Sequence, residues 1–210
     1  MHLKHLPVPS LLASALLLST GHALAGTDLS VSGRIQSGAC SLTLGNGGTI
    51  DLGTISRKDL NEAEETIFSF KYDLPLNIQC QAPTKVAIKV VNNREDVDYY
   101  GNRMYGLGPS GSKNRYWFYP FERFGDGKPL SQLVSFDDRY WGAPTSSDTA
   151  EMIPPSWLSS WAEPGQTLPQ AFQNISSRLL FNIAIAPAKD LDLSQEIVID
   201  GSATMELVYL

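Results

Sequence analysis

The stretch FSFKYDLPLNIQC, residues 68–80, decides the fold class. Phe68, Phe70, Tyr72, Leu74, Leu76, Ile78 and Cys80 take every second position, and Ser69, Lys71, Asp73, Asn77 and Gln79 stand between them. A period of two puts all the apolar side chains on one face of an extended strand, whereas a helix would repeat every 3.6 residues. Pro75 lies within the run and has no N–H to give a neighbouring strand. The segment is therefore expected at a sheet edge, or broken there.

The same period recurs on both sides. Upstream, Leu29, Val31 and Ile35 alternate with polar residues. Cys40, Leu42 and Leu44 continue the pattern up to the turn cluster Asn46-Gly47-Gly48, and Ile50 and Leu52 open another short strand. Downstream, Val86, Ile88 and Val90 alternate with Lys85, Ala87 and Lys89. Residues 92–173 lose the pattern in turn residues and aromatic islands, RYWFYPFERF (115–124) and DRYWGAP (138–144), with Gly125-Asp126-Gly127 a hairpin tip. Regularity returns at Leu179, Phe181, Ile183 and Ile185, at Ile197 and Ile199, and at Ala203, Met205, Leu207 and Tyr209. Lys58 to Thr66 offers one or two helical turns at most. Many short alternating strands separated by turns predict an all-β, antiparallel sandwich.

Lys4, the apolar run Leu11–Leu18 and Ala23-Leu24-Ala25 have the layout of a cleaved secretory signal, residues 1–25, ahead of a single domain, 26–210. The apolar run is shorter than the roughly 20 residues a bilayer span needs. His2, His5 and His22, the three histidines of the chain, all fall in that signal. The exported domain then lacks the commonest general base and metal ligand. No cofactor or metal is implied, and no enzymatic role. A formal charge of −6 without a basic run gives no footprint for nucleic acid or anionic lipid. Cys40 and Cys80, the only cysteines, are expected to pair in an oxidising compartment, with two free thiols as the alternative. Closing a loop of about 40 residues stabilises by roughly 4 kcal/mol in the chain-entropy description.

The acidic groups Glu62, Glu64, Glu65 and Glu95, Asp96, Asp98 read as solvated loop charge rather than as a glycosidase pair, which needs two carboxylates set across a cleft. Tyr116, Phe118 and Trp141 would form a sugar-stacking platform if they faced outward; as core fill they would instead bury large areas.

GRIQSGAC (33–40), a second cysteine forty positions on, and a terminal alternating strand with penultimate Tyr209 resemble pilins of the chaperone–usher pathway. APTKVAIKVVNNR (82–94), YGLG (105–108) and DLDLSQEIVIDGSATMELVYL (190–210) resemble, more narrowly, a proteobacterial family of unknown function associated with chaperone–usher gene clusters. The resemblance implies an immunoglobulin-like sandwich without its last strand, completed first by a periplasmic chaperone and then by a neighbouring subunit through strand addition. It further implies Leu29 and Val31 as donor residues, Met205, Leu207 and Tyr209 as groove lining, and the Leu210 carboxylate as the chaperone's anchor. Two positions depart from that pattern. Ile197 stands where pilins carry a glycine, Gly201 being the nearest, and the extension 26–32 is short.

The expectation is thus a fimbrial structural or adhesive subunit, exported to the periplasm and then the cell surface. Its partners would be a chaperone, an usher and neighbouring subunits, with surface carbohydrate possible and no nucleic acid or membrane after signal cleavage. The alternative is a self-complete secreted sandwich that binds carbohydrate.

Overall fold

Among the described residues ten strands carry the architecture: β1 (Cys40–Leu44), β2 (Thr66–Thr84), β3 (Val86–Asn92), β4 (Tyr105–Gly106), β5 (Arg115–Gly125), β6 (Lys128–Pro129), β7 (Ser131–Ser135), β8 (Leu158–Ala162), β9 (Phe172–Ile185) and β10 (Ala203–Tyr209). The computed structural model describes residues 39–94, 104–108, 112–144 and 152–210. The segment expected to be a signal, 1–25, and the expected donor residues Leu29 and Val31 lie outside the described residues. Residues 36–210 form one compact unit.

One sheet, here sheet A, runs β1-β2-β9-β5-β4 with β6 paired to β5; the other, sheet B, runs β10-β3-β8-β7. The pairings are antiparallel throughout. The core lies between the sheets. From sheet A it takes Leu74, Leu76, Ile78, Phe118, Ile175, Leu179 and Phe181, and from sheet B Val86, Ile88, Val90 and Trp161. Alternation made these strands, since each sends every second side chain into one shared interior. The chain is an all-β antiparallel sandwich. Among the described residues no helix is long and apolar enough to cross a membrane.

β2 differs from the expectation in two ways. It is not broken at Pro75, and the edge expected there is local: residues 66–75 have no β1 partner, while the strand as a whole is interior. It lies between β1 and β9, and Pro75 pairs with Arg178. The proline is tolerated because β1 pairs only with residues 76–80, so its ring side faces Gly45 just beyond the end of β1. A β-carbon on Gly45 would stand 2.5 Å from Pro75 Cδ, so only glycine fits there. The alternation also slips at a bulge between Ser69 and Tyr72. Phe68 and Tyr72 pack inward, while Phe70, at φ 52°, turns out and is 57% exposed.

The hairpin tip is as expected. Asp126 and Gly127 take positive φ between Gly125 and Lys128, the geometry that suits strand twist. The helical turns reduce to a 3₁₀ turn at Arg57–Asp59. Ile197 and Ile199 alternate in burial with exposed Val198, yet residues 195–199 form no ladder, and the strand starts only at Ala203.

Candidate functional site

The edges of the two sheets meet along one seam. β10 pairs with β3 along its whole length, from Ala203 opposite Asn92 to Tyr209 opposite Val86. β1 pairs with β2 from Cys40 opposite Cys80 to Leu44 opposite Leu76. Among the described residues, neither strand has a partner along its second edge. Both therefore present a row of backbone N–H and C=O groups sideways.

Cys40, Leu42 and Leu44 on β1 point inward, as do Ala203, Met205, Leu207 and Tyr209 on β10, all packing on the main core. All seven are only half-buried. One strand further in, Leu76, Ile78, Ile88 and Val90 are at most 1% exposed. The loss of burial follows the seam and not the residue type, so it reports a gap between the sheet edges.

The gap is uneven. At one end it is closed: the Cys40 amide donates a 2.9 Å hydrogen bond across it to the Tyr209 hydroxyl, and the Cys40–Cys80 disulfide fixes that end of β1 to β2 within sheet A. At the other end it opens into a cavity of about 430 Å³, with Leu44, Ile50, Leu107, Phe181, Ile199 and Met205 among its walls. Tyr116 and Phe118 floor it. Gly201 stands at its rim; a β-carbon there would come 2.8 Å from Tyr116 Cε1 and 3.1 Å from Leu107 Cδ1.

The lining is aliphatic and aromatic, which suits burial of apolar side chains and not proton transfer. Desolvation pushes the Tyr116 phenol well above its ordinary range, so it stays neutral. Asp200, the carboxylate at the rim, is paired with Arg94. Among the described residues no group of three or more His, Cys, Asp and Glu could hold a metal ion.

The structure thus brings Met205, Leu207 and Tyr209 together along the seam. Leu210 is 42% exposed beyond it, its amide donating to Lys85 O. Tyr116 and Phe118 face inward instead of outward: they stack with Tyr105, whose hydroxyl donates to Ile153 O. Trp141, half-exposed after β7, does not join them. The opposite wall, Leu44, Ile50 and Leu52, had a sequence signal in its alternation but none that placed it across from Met205. Leu107 and Gly201 had no signal beyond the turn.

Residues 29–113 match the model of a family described as a protein of unknown function, DUF1120. The matched part holds both cysteines and β1 to β4; β10 lies outside it. The search of curated proteins found no match to the chain.

Proposed function

We propose that this chain is a fimbrial structural or adhesive subunit of the chaperone–usher type, whose seam accepts one extended strand. A periplasmic chaperone fills the seam first, and a segment holding Leu29 and Val31 of a neighbouring subunit replaces it at the cell surface. In this reading the sandwich is immunoglobulin-like and lacks its last strand. The observation that carries the reading is the half-burial of both inward rows, Cys40 to Leu44 and Ala203 to Tyr209, over a cavity of about 430 Å³. A strand laid between β1 and β10 would pair with the backbone edges these strands present and send alternate side chains into that cavity.

The test appends residues 27–37 after Leu210 through a flexible linker. Burying the side chains of Leu29 and Val31 contributes about 2 kcal/mol each. At this chain length, such a gain raises the melting temperature by about 10 °C. Leu207→Asp should abolish the gain, because it puts an unpaired charge in a dry groove. A domain that melts at the same temperature with and without the appended segment would falsify the reading.

A further inference from the structure

A second surface lies on the outer face of sheet A. Strand register places Ser69, Asn182 and Trp117 side by side on that face, then Asp73, Leu180 and Tyr119, then Pro75, Arg178 and Phe121. At the Arg115 end the face is covered, Arg115 being 4% exposed and held by Glu65. Beyond Trp117 it is open. Phe70 and Phe121 are 57% and 52% exposed there. The Phe70 ring reaches across β9 to within 6.1 Å of the Tyr119 ring, tilted at 53°. Trp117 Nε1 donates a 3.0 Å hydrogen bond to the Tyr119 hydroxyl, which joins the rings into one strip. Charged groups flank the strip. Arg178 donates to Asp73 Oδ2 at 3.0 and 2.9 Å, and its Nη1 lies 3.7 Å from Glu122 Oε2.

The backbone is strained to make this surface. Phe70 and Glu122 take φ of 52° and 49°, the left-handed region that side-chain-bearing residues avoid. Each sits in a bulge, on the two strands that flank β9. Unbroken alternation would have buried Phe70 beside Phe68 and Tyr72. The bulge turns it into water, where it adds nothing to the core. Strain that exposes an aromatic ring points to function.

We propose that this strip binds a neutral oligosaccharide. The negative faces of aromatic rings attract the C–H face of a pyranose. Asp73 and Glu122 accept from sugar hydroxyls and Arg178 donates to them. Charge selects the class of ligand. Two carboxylates against one guanidinium leave the flank net negative, on a chain of formal charge −6, so polyanions are repelled. The site lies on the outside of the sandwich and is independent of strand acceptance in the seam.

The test titrates the exported chain with cellohexaose, mannohexaose, xylohexaose and chitohexaose, with a heparin oligosaccharide and choline as charged controls. Calorimetry and tryptophan fluorescence are the readouts. At least one neutral hexasaccharide should bind, and Trp117→Ala and Phe121→Ala should each weaken it by about tenfold or more. Phe70→Gly should weaken it similarly while melting no lower than the parent, because glycine relieves the positive φ. That variant separates lost binding from lost folding. The proposal is overturned if no neutral sugar binds at about 10 mM. It is equally overturned if the three variants bind as the parent does, or if only heparin or choline binds.

Discussion

Arg115 is a buried cation, its side chain 5% exposed, and Glu65 holds it with two hydrogen bonds of 2.6 and 2.7 Å. The Arg115 hydrogen bonds hold the Glu65 carboxyl below its ordinary value of 4.5. A depressed folded value means the pair stabilises fully above pH 4.5 and loses that contribution as pH falls through the folded value. Glu65→Gln takes one carboxylate away from a buried guanidinium and should cost about 3 kcal/mol at pH 7. Urea denaturation of parent and variant should show that gap at pH 7 and a smaller one at pH 3. Gly201 gives a second prediction at this scale. Gly201→Ala drives a methyl against Tyr116 and Leu107 and should lower the urea-derived stability by about 1–3 kcal/mol, with no change if the loop simply moves aside. Neither effect was legible in the sequence: Glu65 sits among other acids, and Gly201 reads as a turn. The inward direction of Tyr116 and Phe118 was also hidden. Aromatic residues fill both faces of β5 at positions 116–119, so the period of two that sorts inside from outside is erased.

Strands were the most legible elements. β2, β3, β9 and β10 each carry one apolar face and one polar face, and each formed near its expected place. The misses share a cause: a period of two reports where side chains point, not whether the backbone finds a ladder. Ile197 and Ile199 alternate with Val198 and are half-buried, yet their segment makes no strand pairing. Pro75 did mark an edge, but a local one, because β1 has already ended beside it while the strand continues into the sheet. β1 itself is short, five residues, with one edge unpaired among the described residues. The disulfide at its first residue therefore adds a covalent tie to its one ladder and to the inward packing of Leu42 and Leu44. Replacing both cysteines with serine should reduce stability by about 4 kcal/mol in the chain-entropy description, read by urea denaturation. Amide hydrogens of residues 41–44 should then exchange faster than those in the middle of β9. Equal protection in the two forms would show that packing alone holds β1.

For the molecule as a whole, a two-sheet sandwich followed from strand count and turn spacing, but its seam did not. Tyr209 meets Cys40 across 169 residues of sequence, and no local pattern encodes which two edges lie together. That pairing follows from the strand orders β1-β2-β9-β5-β4 and β10-β3-β8-β7, which join segments far apart in sequence. An open seam has a measurable signature at this scale. Apolar dyes should bind residues 26–210, and appending residues 27–37 after Leu210 should suppress that binding. Dye binding that persists after the segment is appended would place the exposed apolar surface elsewhere, on the outer face of sheet A for instance.

The uneven seam has a consequence for order in time. Its Gly201 end is wide, and its Tyr209 end is latched by one hydrogen bond beside a covalent staple. An extended segment that enters such a gap finds its first foothold at the wide end and must unlatch Tyr209 to advance to the other. Under the proposed strand addition, loading would start at the wide end, like closing a fastener from its open end, and release would retrace the same path backwards. Removing the latch with Tyr209→Phe leaves the wide end unchanged, so it would speed the last step of loading while leaving the first contact as it was.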